Sequence, residues 1–280
     1  MRKILNLNKG WAFFKGTSDV TALEGGEAVC LPHSWNAVDG QDGGNDYFRG
    51  SCAYLKKIAK ADLPEGEEVY LEIRGANSSA DAYVNGKLLA HHDGGYSTWR
   101  VNMTAELQEE NEIIIVVDNA ANDKVYPQMA DFTFYGGLYR DVNAIGVPKT
   151  HFDLDYYGAS GIKITPIVKD KNAEVEVEVF VKDLQAGDEI VYTLYDKEEN
   201  IVAQIKSAET KVNFTIENVR LWNGRKDPYL YCGEATIVRG GEEIDEVCNR
   251  FGCRSFAIDP DRGFILNGEE YPLRGVSRHQ

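Results

Sequence analysis

The sequence predicts an all-β protein made of two β-sandwiches, and three observations support this. Convincing helical periodicity is absent, because the best candidate, residues 103–112, is long enough for only one or two turns. Short apolar or alternating runs recur about every ten residues, with Gly, Asn and Pro turn signals between them. The composition shifts near Val147-Pro148, where aromatic residues become rarer and alternation becomes strict, so we expect a domain boundary there.

Residues 1–148 are predicted to form a two-layer sandwich or a jelly roll. Asn85-Gly86 is a hairpin turn signal, because both central positions of a type I′ turn need positive φ. The apolar run from Ile113 to Val117 suits a strand that is buried on both faces, which requires a second sheet over the first. The clearest strands are EVYLEIRG (68–75), ADAYVNGKLLAHH (80–92) and NEIIIVVDN (111–119).

Residues 149–257 are predicted to form an immunoglobulin-like sandwich. In residues 172–183, valines alternate with glutamates, as in an antiparallel strand with one buried and one solvated face. Roughly seven such strands fit into about 105 residues, which is the strand density of that fold. The Cys…Trp…Cys pattern of antibody domains is absent, so the assignment depends on strand patterning alone.

Residues 258–280 are too few for a domain, since an isolated hairpin is only marginally stable. Asn267-Gly268 predicts another type I′ turn. The strand that follows is expected to run through Tyr271, Leu273 and Val276 to the Arg278-His279 pair.

Composition excludes several classes of function. The net charge of −15, from 45 acidic and 30 basic side chains, argues against a nucleic-acid partner and against an anionic membrane surface. No stretch approaches the roughly 18 apolar residues of a transmembrane helix. The five cysteines lack C-x-x-C spacing, and we expect all of them to be reduced, mostly buried thiols of a cytoplasmic protein.

A long polar, Gly-rich region, residues 31–36 and 43–54, is the first candidate site. It mixes aromatic rings with amides and carboxylates, as a sugar site does. The alternative is an ordered loop that its aromatic side chains fasten to the sandwich, and the sequence favours that reading. The side chains concerned are His33, Trp35, Asn45, Asp46, Tyr47 and Arg49.

The second candidate is YPQMADFTFYGGLYRDV (126–142), where Asp131 lies among aromatic residues and needs a partner or a cation. Arg140 and Asp141 are adjacent and offer a simpler role, a salt bridge that locks the turn. Gly136-Gly137 allows close approach of the backbone or positive φ.

Two further features are interpreted as structural. The stretch DGGYSTW (93–99) reads as a turn and a strand with structural aromatic residues. The adjacent His91 and His92 should point to opposite faces of a strand, so they make poor co-ligands for a metal. The sequence contains no compelling catalytic constellation.

An ordered set of motifs resembles glycoside hydrolase family 2, and most closely its bacterial β-galactosidases. The resemblance covers the whole chain; single motifs such as VNGK are weak, but their order is specific. The motifs are LNLNKGWAFFKG, LPHSWN, NDYFRGSCAYLKK, AYVNGKLLAHHDGGYSTWRVNMT, NEIIIVVDN, GGLYRDV and FILNGEEYPLRGVSRHQ.

The resemblance implies a galactose-binding-like jelly roll (1–148), an immunoglobulin-like sandwich (149–257) and the first strand of a (β/α)8 barrel (258–280), truncated after that strand. The family's chemistry is retaining hydrolysis of a β-glycoside, here of terminal β-D-galactosides, by two glutamates inside the barrel. Both glutamates would be absent from these 280 residues, so the chain alone is expected to be inactive.

The resemblance also implies the site residues. The jelly roll would contact substrate through the loop of Asn45 and Asp46 and through Asp131, which lies ten residues before the RDV aspartate. In some β-galactosidases that carboxylate also helps to hold sodium, so Asp131 is a candidate sodium ligand. Arg278 and His279 match the family's RGVNRH motif, at the mouth of the first barrel strand.

One departure from the family is visible: its common NRHE reads SRHQ at 277–280, which removes an acidic side chain at Gln280. No cofactor is expected in this chain, and sodium or magnesium is expected only in a full-length parent. The expected partner is a β-galactoside or related carbohydrate, and faces left exposed by a missing barrel could form a homo-oligomer. A stand-alone carbohydrate-binding module, or the same portion of a β-glucuronidase or β-mannosidase, is the alternative.

Overall fold

A computed structural model describes residues 1–37, 39, 47–125 and 133–277. In this part of the chain the protein is all-β, as predicted, apart from two short 3-10 turns. The strands form two compact units, one of residues 2–147 and one that begins at Pro148. Within the described residues, no helix combines the length and the apolar character that crossing a bilayer requires.

The first unit is a jelly-roll sandwich of two main antiparallel sheets. One has the strand order β1-β12-β6-β9, the other β3-β2-β5-β10-β7-β8, and β4 pairs with β11 beside them. The described strands are β1 (Lys3–Asn6), β2 (Trp11–Phe14), β3 (Glu27–Val29), β4 (His33–Ser34), β5 (Ser51–Ala59), β6 (Glu68–Ile73), β7 (Ser79–Val84), β8 (Lys87–Asp93), β9 (Trp99–Asn102), β10 (Glu110–Asp118), β11 (Gly137–Leu138) and β12 (Val142–Val147).

Strand β10 explains the uninterrupted apolar run in the sequence. Its residues Ile113, Ile115 and Val117 point into the main core between the two sheets. Ile114 and Val116 point the other way, into a smaller apolar cluster on the outer face of the six-stranded sheet. Burial on both faces is therefore confirmed, because a second cluster covers the face that would otherwise meet water.

Local chain signals give the predicted turns. Asn85 (φ 49°) and Gly86 (φ 81°) adopt the left-handed conformation that a type I′ hairpin requires. The weak helical pattern at 103–112 yields only a 3-10 turn at Thr104–Glu106, after which the chain enters β10. A second 3-10 turn spans Lys60–Asp62.

The second unit is the immunoglobulin-like sandwich. Its main sheets have the orders β14-β15-β19 and β18-β17-β20-β21, and smaller sheets are β13-β16 and β22-β23-β24. The described strands are β13 (His151–Phe152), β14 (Ile162–Lys169), β15 (Asn172–Val179), β16 (Val181–Lys182), β17 (Glu189–Tyr195), β18 (Ile201–Ser207), β19 (Lys211–Ile216), β20 (Tyr231–Arg239), β21 (Glu242–Phe251), β22 (Phe256–Asp259), β23 (Gly263–Leu266) and β24 (Glu269–Glu270).

Alternation in β15 sets the core of this unit. Val175, Val177 and Val179 are buried, while the glutamates between them lie on the half-exposed face. The valines belong to one apolar cluster with Tyr192 and Ile237 from the facing sheet. The strand is half-buried as the sequence predicted.

The prediction of five reduced cysteines is wrong for two of them. Cys232 on β20 and Cys248 on β21 form a disulfide, with a Cα–Cα distance of 6.7 Å. Cys248 lies opposite Glu234, so the two cysteines are diagonal neighbours on paired strands. Cys30, Cys52 and Cys253 are free, and Cys30 is exposed rather than buried.

The end of the chain departs from its predicted strand. Asn267 (φ 52°) and Gly268 (φ 82°) form the expected turn. The strand after it stops at Glu270, so Tyr271, Leu273 and Val276 are not part of a strand. Within residues 255–277 no further strand lies beyond β24 to continue the ladder, and Leu273 and Val276 are 70% and 96% exposed.

Candidate functional site

The five side chains that the resemblance assigns to substrate lie outside the described residues. They are Asn45, Asp46, Asp131, Arg278 and His279. Their roles stay predictions, as does the assignment of Asp131 as a sodium ligand. The structure does describe the chain beside the first three, in residues 31–37, 47–50, 119–125 and 133–137.

Asn36 is the centre of the polar contacts in this region. Its side chain is fully buried and uses every hydrogen-bonding position of the amide. Oδ1 accepts from the backbone N–H of Gly136 at 2.8 Å and from Asn119 Nδ2 at 3.1 Å. Nδ2 donates to Asp39 Oδ2 at 2.6 Å and to the Phe48 carbonyl at 2.8 Å. One side chain thus holds the backbone at Phe48, in the first candidate region, and at Gly136, in the second candidate region. These two regions are called the candidate segments below.

Asn119, directly after β10, completes this arrangement and is also fully buried. Its Nδ2 donates to the Phe134 carbonyl at 3.1 Å, and its Oδ1 accepts from the Gly50 N–H at 2.9 Å. Its own carbonyl accepts from Arg49 Nε at 2.9 Å. The two asparagines therefore attach residues 48–50 and 134–136 to the end of a buried strand.

Tyr47 makes a third connection between the segments. Its hydroxyl donates to the Phe134 carbonyl and accepts from the Phe134 N–H, both at 2.7 Å. The guanidinium of Arg49 lies about 6 Å from the ring centroids of Tyr47 and Phe134, within cation–π range. Burial raises the pKa of Tyr47 above its usual value, although its bond to Phe134 acts in the opposite direction, so the hydroxyl stays protonated and can donate.

The aromatic side chains of the first segment are structural. A Cβ on Gly136 would lie 2.0 Å from Cζ2 of the Trp35 indole, so glycine is required for this contact. Trp35 stacks on Phe13 with a centroid distance of 6.1 Å and is buried. His33 contacts the Tyr54 hydroxyl at 2.9 Å, and burial lowers the pKa of its imidazole. For these rings the structure favours an ordered loop fastened to the sandwich.

The salt bridge considered between Arg140 and Asp141 is not the arrangement found. Arg140 Nη1 donates to the Tyr96 carbonyl at 2.7 Å. Asp141 Oδ1 accepts from Asn8 Nδ2 at 2.7 Å, and its other oxygen lies 4.0 Å from Arg74. Both residues lie in the connection between β11 and β12, where each side chain takes its own partners.

A separate polar cavity of about 330 Å³ lies on the outer face of the six-stranded sheet. In it, His91 Nδ1 lies 2.7 Å from Asp81, and His91 Nε2 lies 3.1 Å from Asp93. His92 faces the opposite way and stacks on Trp99, as expected for neighbours on a strand. Within the described residues, no group of three His, Cys, Asp or Glu side chains is arranged to hold a metal ion.

Sequence reasoning missed Asn36, Asp39 and Asn119. Asn119 comes directly after β10, and an amide in that place is a signal that was available. Asn36 and Asp39 lie two and five residues after β4 and carry no such signal. Most of their partners are backbone atoms or side chains far away in sequence, and sequence patterns carry no signal for those.

Comparison with known proteins identifies the family. Residues 49–154 match the family model described as glycosyl hydrolase 2 galactose-binding domain-like, and residues 159–254 match the model of glycosyl hydrolases family 2. The chain belongs to glycoside hydrolase family 2. The matches lie in the order predicted from the motifs, with the galactose-binding-like domain first and the immunoglobulin-like domain second.

Relatives in this family carry two different names. A β-glucuronidase of Bacteroides fragilis is 32% identical over 265 residues, 90% of this chain. A β-galactosidase of Thermoanaerobacter pseudethanolicus is 26% identical over the whole chain. The crystal structure of an FMN-binding β-glucuronidase from Faecalibacterium prausnitzii L2-6 superposes with a TM-score of 0.91, at 40% identity over 99% of this chain. This chain spans 38%, 39% and 43% of those three proteins.

Proposed function

We propose that this chain is the non-catalytic N-terminal portion of a retaining β-glycosidase, and that its jelly roll contributes substrate contacts to the active site. The observation that carries the proposal is the convergence of the two candidate segments. Tyr47 and Phe134 are hydrogen-bonded in both directions, and Asn36 binds the backbone of both segments. Family membership supports the reaction class.

In this proposal the chain binds and orients substrate, and its own residues carry out no bond cleavage. Retaining glycosidases use two carboxyl groups about 5–5.5 Å apart as acid/base and nucleophile. We place both glutamates outside these 280 residues, in the part of the relatives that this chain does not span. The Asn36–Asn119 contacts hold residues 48–50 and 134–136, which neighbour the predicted substrate residues in sequence, in one arrangement.

The substrate class has two candidates. The motif resemblance favours a terminal β-D-galactoside, and the galactosidase relative at 26% identity supports it. The relatives at 32% and 40% identity are named β-glucuronidases, which supports a terminal β-D-glucuronide. The two sugars differ at two carbons: the C4 hydroxyl is axial in galactose and equatorial in glucuronic acid, and C6 is a hydroxymethyl group in galactose and a carboxylate in glucuronic acid.

Calorimetric titration of the purified chain with methyl β-D-galactoside and methyl β-D-glucuronide tests the proposal. We expect saturable binding of one sugar in the millimolar range, because a partial site lacks the contacts of a complete pocket. The sugar that binds identifies the substrate class. Asp131→Asn should abolish binding, whereas Asp81→Asn, on the outer sheet face, should leave it unchanged. Absence of binding for both sugars would refute the substrate-contact role.

Chromogenic galactoside and glucuronide assays address the catalytic part of the proposal. The chain alone should show no turnover above the blank. Turnover by the 280-residue chain would place the catalytic carboxyl groups inside it. Binding much tighter than millimolar would favour the alternative, a carbohydrate-binding module that works by itself.

A further inference from the structure

A pair of buried amides connects the four described stretches of chain that border the candidate site, residues 31–37, 47–50, 119–125 and 133–137. Asn36 binds Asp39, Phe48 and Gly136, and Asn119 binds Gly50 and Phe134. The pair is joined by a hydrogen bond of 3.1 Å between the two side chains. Four of their contacts go to backbone atoms, so the pair determines where the chain itself runs.

We propose that Asn36 and Asn119 are positioning residues of the site, which hold residues 47–50 and 133–137 in one fixed arrangement. This rests on the proposed function, since it concerns the same segments. The pair acts through the backbone it holds and needs no contact with the sugar.

The chemistry of the pair favours positioning over stabilisation. Burying an amide costs free energy unless every polar atom finds a partner, and two apolar residues would fill the same space without that cost. Hydrogen bonds have the directional character that apolar contacts lack. A polar pair in which every donor and acceptor is hydrogen-bonded therefore defines the local geometry, although it contributes little to the net stability of the fold.

Asp39 provides a conservative variant. One of its two carboxylate oxygens, Oδ2, accepts both from Asn36 Nδ2 at 2.6 Å and from the Phe48 N–H at 3.1 Å. An asparagine at position 39 can present its carbonyl oxygen at the same place and keep both bonds. An alanine there loses both.

Asn111 provides the matched control. It is as buried as Asn36 and also makes four side-chain hydrogen bonds in the same unit. Its partners are Asn85, Gln108 and Ile58, at the other end of β10. Asn111→Ala should therefore cost similar stability without touching the candidate segments.

Amide hydrogen exchange on the 280-residue chain is the first test. In Asn36→Ala and in Asn119→Ala we expect amide exchange to become about tenfold faster in two peptides, the one that covers residues 47–50 and the one that covers residues 133–137. Asn111→Ala should leave both peptides at the wild-type rate. Faster exchange limited to the one amide that lost its partner, or an equal change in Asn111→Ala, would overturn the positioning role.

The variants at position 39 separate positioning from a general loss of packing. Asp39→Ala should speed up exchange in the 47–50 peptide, and Asp39→Asn should restore protection. If Asp39→Asn exchanges as fast as Asp39→Ala, the shared oxygen does not hold Phe48 and the proposal fails.

Binding of methyl β-D-galactoside and methyl β-D-glucuronide is the second test. Asn36→Ala should weaken binding of the recognised sugar about tenfold, and Asn111→Ala should not. If the wild-type chain binds neither sugar, the proposed function fails, while the exchange result still decides the positioning role. If the wild type binds and Asn36→Ala binds equally well, the positioning role fails and the proposed function stands.

Discussion

Arg100 donates to Oε2 of the Glu72 carboxylate from both Nε and Nη2 at 2.7 Å, and the two side chains are only 9% and 3% exposed. The other carboxylate oxygen accepts from Arg74 Nε at 2.8 Å and from Asn143 Nδ2 at 2.9 Å. Burial raises the pKa of Glu72, but the bonds from Arg74 and Asn143 and the charge of Arg100 outweigh it, so the pKa lies below its usual value. The jelly roll thus carries a buried charge that depends on its partners.

Arg100→Ala should lower the free energy of unfolding by about 3 kcal/mol at neutral pH, because it leaves a buried carboxylate with only part of its compensation. Since a lowered pKa contributes stability that is lost as pH falls through the folded-state value, the gap between wild type and variant should shrink in acid. Urea unfolding at a series of pH values measures both effects.

Lys57→Ala is the matched control, because Lys57 pairs with Glu112 at 2.8 Å on an exposed surface. That pair should contribute about 0–1 kcal/mol. Equal losses in the two variants would contradict the importance of burial at Glu72.

Strand patterning predicted the fold because burial and alternation are local properties. The alternating valines of β15 show which face of that strand is buried, and the uninterrupted apolar run of β10 shows that both of its faces are buried. Each strand therefore needs a sheet packed against it. The Asn-Gly turns were equally readable, because the left-handed conformation is a property of those two residues. The prediction of a strand after Glu270 is wrong, because a strand forms only where another strand pairs with it.

The polar contacts of the candidate site could not be predicted in the same way. Asn36 is 83 residues from Asn119 and 100 from Gly136, and only the folded sheets bring them together. The same holds for Cys232 and Cys248, whose separation of 16 residues has no meaning until β20 pairs with β21. The predicted substrate residues came from family resemblance instead.

Gly136→Ala should destabilise the jelly roll by about 1–3 kcal/mol, because the added methyl group would overlap the buried Trp35 indole at 2.0 Å. Thermal unfolding monitored by circular dichroism measures the loss. Gly275→Ala is the control, since a Cβ there meets nothing within 4 Å. A Gly136 variant as stable as the Gly275 variant would show that Trp35 can move aside.

The adjacent histidines should titrate on opposite sides of the usual imidazole pKa of 6.5. Hydrogen bonds to Asp81, and then to Asp93, raise the pKa of His91, whereas burial lowers that of His92. Chemical shifts of the ring protons recorded against pH by NMR measure both values in one sample.

Asp81→Asn tests the cause of the His91 shift. It should lower the pKa of His91 and leave His92 almost unchanged, because His92 points to the other face of β8. A raised pKa contributes stability that is lost as pH rises through the folded-state value, so the His91 contribution should be present in mild acid and disappear at higher pH. Equal changes in the pKa values of His91 and His92 in Asp81→Asn would contradict the placement of the two rings on opposite faces of β8.

Thiol titration with an aromatic disulfide reagent should reveal the Cys232–Cys248 bond. The native chain should react rapidly at Cys30 alone, because burial raises the pKa of both Cys52 and Cys253 to about 11 and hides them from the reagent. After unfolding without a reductant, three thiols should react, and a reductant should bring the count to all five.

Cys232→Ser supplies the control for that count. It frees Cys248, which is exposed, so the native variant should show a second rapidly reacting thiol and the unfolded variant should show four. Five reactive thiols in the unfolded wild type without reductant would restore the sequence-based expectation of a fully reduced chain. In that case the two strands are held by their hydrogen-bond ladder alone, and reduction should leave the unfolding temperature unchanged.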